Sequence, residues 1–272
     1  MPLQELPLLI EPEQLEPLLG SERLLLVDLC KDSTYGQIHI PGAVHLPYAQ
    51  IVTGRQPVFG LLPEPEQLQA VFTAYGIGDQ THVVAYDDEG GGNACRLLWT
   101  LEVMGHHRHS LLNGGLHAWV NERHPVDRKP VQTTRAVFSP RPDPAALADA
   151  EYILARLNDP ELALWDARNA NEYRGISRFS QYPGHIPGAV HLDWLDVMDR
   201  QRNLRLKSAD ELKQTLAGLG ITPDKEVVAY CQTHHRSSLA WFVLKYLGFA
   251  RAKGYPGSWS DWGNRADTPK AT

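Results

Sequence analysis

Apolar residues along this chain fall into two patterns. Short, dense runs occupy 24–27, 83–86, 161–165 and 226–230, with the length and continuity of buried strands, and 190–192 reads as another short strand. Over 146–158, 207–219 and 237–247 apolar residues instead return every three to four positions, which predicts helices. Gly220 and Gly248 stand where the last two should stop. Strand and helix alternate, so the expected fold class is α/β, with mostly parallel sheets flanked by helices.

The pattern is written twice. His39-Ile40-Pro41-Gly42-Ala43-Val44-His45-Leu46 returns unchanged at His185–Leu192, and Val83-Val84-Ala85-Tyr86 returns at Val227–Tyr230. Leu24–Asp28 matches Leu162–Asp166, each an apolar run closed by an aspartate. The spacing is far too long for a solenoid repeat, so the chain holds two copies of one domain. Between them, the stretch from His124 to Pro144 carries prolines at 125, 130, 140, 142 and 144, the composition of a linker. The expected organisation is a domain over 1–125, a linker over 126–144 and a second domain over 145–272. The Ile-Pro-Gly-Ala segments are turn chemistry leading into a strand, and their presence in both copies makes them scaffold.

Composition narrows the function. At 272 residues, 43% hydrophobic and 21% charged, each half can bury a core of its own. A net charge of −6 argues against nucleic acid as a partner and requires a local field to attract an anionic substrate. There is no signal-peptide pattern, and no apolar run approaches the roughly 18 residues of a membrane span. The three cysteines, at 30, 95 and 231, form no Cys-x-x-Cys pair. That usage suits a cytoplasmic protein without a membrane partner.

The duplication also supplies an internal comparison. Where the Val-Val-Ala-Tyr strand ends, the first copy has Asp87 and the second Cys231. Strand ends in parallel α/β sheets are where ligands bind. The loop Cys231-Gln232-Thr233-His234-His235-Arg236 leads into a helix, so amide N–H groups, the helix N-terminus and nearby cationic side chains can lower the thiol pKa. Cys231 is therefore the expected nucleophile, and 232–236 its binding loop. Cys30 and Cys95 are expected to be packing residues. The first copy's loop, Asp87-Asp88-Glu89-Gly90-Gly91-Gly92, carries three adjacent carboxylates and should repel anions.

Taken together, the doubled His-Ile-Pro-Gly-Ala turn, the Val-Val-Ala-Tyr-Cys loop and the closing Gly257-Ser258-Trp259-Ser260-Asp261-Trp262-Gly263 resemble the tandem-domain rhodaneses, bacterial thiosulfate sulfurtransferases, over nearly the whole chain. The resemblance implies an inactive first copy and an active second copy carrying a persulfide on the loop cysteine. It implies no cofactor beyond that covalent intermediate, and no metal. Its partners are a small-molecule sulfur donor and a thiophilic acceptor, cyanide or a thiol, with a thiol-bearing protein as a further candidate. Family members using thiosulfate often show Cys-Arg-Lys-Gly-Val-Thr in the loop. This chain has Gln232 and Thr233 directly after the cysteine, and Glu172 where a family arginine holds the donor. Arg168, Arg174 and Arg178 are nearby alternatives for that role, and Trp194 is a candidate pocket residue. Mercaptopyruvate or a persulfide, with delivery to a protein partner, is the alternative donor chemistry. A phosphatase or arsenate reductase of related fold is the more remote alternative, because it needs Cys-x5-Arg and the spacing here is Cys-x4-Arg. Adjacent His234 and His235 are a poor pair of ligands for one ion, and His106-His107-Arg108-His109 reads as a solvated turn.

Overall fold

The computed structural model describes residues 6–272. In chain order its strands are β1 (Leu9–Ile10), β2 (Leu24–Asp28), β3 (Val44–His45), β4 (Thr53–Arg55), β5 (Val58–Leu61), β6 (His82–Tyr86), β7 (His109–Leu112), β8 (Leu162–Asp166), β9 (Val190–His191), β10 (Met198–Asp199), β11 (Arg205–Leu206), β12 (Glu226–Tyr230) and β13 (Ala252–Gly254). Two compact units form. The first runs through Ile51 and takes Pro63–Pro142 and Met198–Leu206; the second takes Val52–Leu62, Asp143–Val197 and Lys207–Thr272. Each unit thus includes one antiparallel hairpin drawn from the opposite half of the sequence, β10–β11 in the first and β4–β5 in the second.

Both main sheets are parallel throughout. The first unit orders its strands β1-β7-β6-β2-β3, the second β13-β12-β8-β9. Where the first sheet has β1, the second has a single parallel bridge between Leu147 and Gly254. The central pairs match in register, Asp28 opposite Tyr86 and Asp166 opposite Tyr230. Strands β6 and β12 are covered on both faces, which is why their sequences are apolar without alternation. The repeated turns are scaffold in detail. His39 and His185 are buried, stack on Tyr35 and Tyr173, and hydrogen-bond those residues' carbonyls through Nδ1. Ile40 and Ile186 each donate an N–H to the hydroxyl of Tyr86 and Tyr230, at 3.1 Å in both copies.

Some expectations shift. The helix read over 146–158 is shorter, Ala150–Leu154, because Asp149 caps it by accepting from the Tyr152 N–H and the residues before it run extended to the Leu147 bridge. The proline-rich stretch is not a loose spacer up to Pro144. Phe138 is buried edge-on against Phe72, so the chain packs with the first unit as far as Pro142. The histidine run after Gly105 is not a solvated turn either. His109 opens the inner strand β7 and is buried with His106, and Glu102 takes both His107 and His109 at 3.1 Å. No helix among the described residues is long and apolar enough to cross a membrane.

Candidate active site

Strand β12 ends at Tyr230, and the helix Arg236–Tyr246 begins six residues further on. Cys231 sits in that gap, 1% exposed, at the floor of a cradle made by its own loop. The amides of Thr233 and Ser237 and the Ser237 hydroxyl hydrogen-bond its sulfur, and Arg236 adds a positive charge. Burial alone would push the thiol up. The charge and the hydrogen bonds outweigh it and bring the thiol down to about 7, where a large fraction is thiolate near neutral pH. The other two cysteines behave oppositely: burial pushes the thiols of Cys30 and Cys95 up, and nearby aspartates add to it. Both are buried packing residues, as their apolar settings imply.

The closing Gly-Ser-Trp-Ser segment is a clamp on this loop. Trp259 and Ser260 donate backbone N–H groups to the carbonyls of Cys231 and Gln232, both at 2.9 Å. The Cys231 N–H donates to Ser258 Oγ at 3.2 Å, and that hydroxyl donates to the Tyr255 carbonyl at 2.7 Å. Ser258 pays a conformational cost to do this, with φ at 50°. The equivalent position in the first unit is Gly115, at φ 53°, preceding Leu116, whose N–H bonds the Asp87 carbonyl. In the first unit the Asp87 carbonyl oxygen would lie 2.4 Å from a Cβ at this position and requires glycine, whereas in the second the serine hydroxyl holds the cysteine amide.

The first unit also shows what its own cradle binds. The Asp87 carboxylate accepts N–H groups from Glu89, Gly90, Gly91 and Ala94 at 2.8–3.1 Å. The loop's amides are thus taken up by its own side chain. In the second unit the amides of Thr233 and Ser237 turn toward a sulfur.

Arg236 forms a two-pronged pair with buried Glu172, at 2.6 and 2.9 Å. Burial opposes the Glu172 charge, but Arg236 prevails and holds the carboxyl below its usual range. Asn169 caps the short helix Ala170–Tyr173 and donates to Glu172 Oε2 at 2.6 Å, fixing the carboxylate. Arg168, a candidate for holding the donor, is instead buried in a two-pronged pair with Asp166, bonded to the Gly184 carbonyl and stacked 4.6 Å from the Trp259 ring. Its guanidinium is spent inside the fold. Arg174 is exposed at the end of its helix, and Arg178 is exposed and donates to the carbonyls of Ser180 and Gln181. Trp194 is half-buried, with its ring 5.7 Å from that of His235, whereas Trp241 is wholly buried.

Gln232 leads outward, donating to Ser180 Oγ at 3.2 Å. Ser180 lines an open groove of about 530 Å³ with Gln56, Pro57, Phe59, Arg178, Phe179 and Asn264. Phe59 and Phe179 are 48% and 67% exposed there.

Three contributors escape a reading of the sequence: Ser237, Ser258 and the β4–β5 hairpin. The hairpin's Gly60 lies so close to the loop that a Cβ on it would stand 2.0 Å from the Thr233 carbonyl oxygen. Phe59 and Ser260 exchange hydrogen bonds at 3.0 and 2.9 Å and lock the hairpin in place. The doubling of glycine at 54 and 60 was the only local sign of a close approach.

The profile described as the Rhodanese-like domain matches this chain twice, over residues 11–122 and 149–265. A thiosulfate sulfurtransferase of Pseudomonas aeruginosa is 45% identical over 270 residues, and one of Azotobacter vinelandii is 44% identical over 271, each alignment covering 97% of both chains. The sulfur carrier protein TtuD of Thermus thermophilus is 34% identical over 87% of this chain and 86% of its own. In fold, an anaerobic ergothioneine biosynthesis enzyme from Chlorobium limicola aligns with a TM-score of 0.88 at 22% identity, over 97% of this chain and 70% of that one.

Proposed function

The chain belongs to the rhodanese family, and from that premise we propose that it is a thiosulfate sulfurtransferase working through a persulfide on Cys231. The observation that carries the reading is a buried thiol held at about 7 by a ring of amides, a hydroxyl and an arginine. The Cys231 thiolate attacks the outer sulfur of thiosulfate. The sulfur–sulfur bond breaks, and sulfite leaves with the electron pair. The terminal sulfur of the persulfide then sits among donors already oriented toward it, at little reorganisation cost. Cyanide or a thiol attacks that sulfur next, and Cys231 departs as a thiolate, ready for another turn. The cysteine carries the sulfur itself, so the cycle requires no cofactor and follows ping-pong kinetics. A thiol that must stay reduced between turns fits the cytoplasm.

Purified protein incubated with thiosulfate should gain about 32 Da, one sulfur atom, on the peptide carrying Cys231. Mass spectrometry locates it. A gain on the Cys30 or Cys95 peptide, or none anywhere, refutes the assignment.

Glu172 tempers the reaction. Its carboxylate neutralises the arginine that would otherwise attract a dianionic donor. Glu172→Gln should lower KM for thiosulfate by roughly threefold and lower the thiol pKa. Steady-state kinetics with thiosulfate varied separate KM from kcat; an unchanged or raised KM removes Glu172 from the account of donor affinity.

Delivery to a protein thiol is a second reading. It is favoured by the groove beside Gln232, where exposed Phe59 and Phe179 offer an apolar seat larger than thiosulfate or cyanide needs, and by a sulfur carrier protein among the relatives.

A further inference from the structure

His234 is the least expected residue of the loop. It is wholly buried, and its backbone stands at φ 55°. Three residues past Asp87 in the first unit, the same step is taken by Gly90, at φ 103°. A left-handed backbone is strained for a side-chain-bearing residue, and glycine avoids that strain. An imidazole at this step therefore needs a physical reason.

The hydrogen bonds supply one. His234 Nδ1 lies 2.7 Å from Ser237 Oγ, and the Ser237 hydroxyl bonds the Cys231 sulfur. Both His234 and Ser237 are fully buried. The Ser238 hydroxyl donates to the His234 carbonyl at 2.6 Å and holds the residue in place. A serine hydroxyl has one proton to give. If it pointed at Nδ1, the sulfur would face a lone pair instead of a donor.

We propose that His234 is a positioning residue: its Nδ1–H donates to Ser237 Oγ and commits the single hydroxyl proton of Ser237 to the sulfur of Cys231. This rests on Cys231 being the reacting group, as proposed above. The relay Nδ1–H to Oγ–H to sulfur favours thiolate over thiol, and it favours the persulfide anion in the same way. Arg236 is the charge acting on the sulfur. It is paired to Glu172 and lies in the field of Asp166, so the relay adds to a cation already partly neutralised.

The test uses alkylation rather than turnover, so it is independent of which donor the enzyme uses. Iodoacetamide modification of Cys231 is followed against pH in the persulfide-free full-length protein, with the peptide identified by mass. His234→Gly removes the imidazole and relieves the backbone strain, so it should fold with an unchanged or higher Tm. Its alkylation midpoint should rise by about one pH unit, making modification roughly tenfold slower at pH 6. His234→Asn, which carries an N–H near the Nδ1 position and tolerates this backbone, should restore most of the loss. Ser237→Ala should shift the midpoint similarly, and adding His234→Gly to it should change little more. Heteronuclear NMR of the imidazole should find the proton on Nδ1 in the neutral protein. A wild-type midpoint in His234→Gly, additive shifts in the double variant, or a proton on Nε2 alone would each overturn the relay. Loss of the 32 Da gain from thiosulfate with the midpoint shifts intact would instead count against the proposed function.

Discussion

Cys231→Ala should lose sulfur transfer by at least about a thousandfold while keeping its fold. The loss is large because no other group can carry the sulfur. Cys30 and Cys95 are buried, with thiols pushed away from ionisation. The amides, Arg236 and Ser237 that remain can bind an anion but cannot form a covalent bond to sulfur. The fold survives because the surrounding polar groups keep partners: Arg236 stays paired with Glu172, and Ser258 still donates to Tyr255. The measurement is thiosulfate:cyanide transfer in parallel with circular dichroism and thermal unfolding. Residual transfer above a tenth of wild type, from a folded protein, would move the reaction away from Cys231.

The second large effect lies 171 positions earlier in the chain. Gly60→Ala should reduce kcat/KM on the order of a hundredfold and destabilise by roughly 2–4 kcal/mol. Gly60 has φ at 77°, and its added methyl would stand 2.0 Å from the Thr233 carbonyl oxygen, with backbone rather than a flexible side-chain end in its way. Either the hairpin or the Thr233 peptide must move. The Thr233 N–H hydrogen-bonds the Cys231 sulfur, so displacement of that residue reaches the reacting atom. Gly188→Ala is the control, since Gly188 shares the backbone conformation, at φ 79°, and faces open space. It should lose some stability from strain and keep its kcat/KM. Equal kinetic losses in the two variants would make the Gly60 effect general destabilisation.

Much of the fold could be read before any coordinates. Identical octapeptides at His39 and His185 fix the duplication, and continuous apolar runs ending in Asp28 and Asp166 identify the inner strands. The contrast of Asp87 with Cys231 points to the position proposed as reactive, because equivalent strand ends occupy equivalent places. What escaped was set by contacts between residues far apart in sequence. Arg168 looked like an anion binder because its charge is visible and its burial is not; the aspartate two residues earlier was the clue to pairing. Ser237 follows Arg236 inside the helix, where an uncharged hydroxyl has no local mark of its contact with the cysteine. Val52–Leu62 has turn-forming glycines and a proline, but nothing local shows that Phe59 meets Ser260, 201 residues away. In sequence His234 reads as a source of charge, whereas in the fold it is buried and lies 2.7 Å from the Ser237 hydroxyl.

The two hairpins have a consequence for how such a chain can be inherited. A gene segment encoding residues 143–272 alone would carry Cys231 without Gly60 and Phe59, and one encoding residues 1–142 would lack the Arg205 that joins Glu11 and Glu122. Each half of the sequence thus holds a piece that completes the unit formed by the other half. A deletion that looks harmless by the standard of catalysis would remove part of the floor beneath the sulfur.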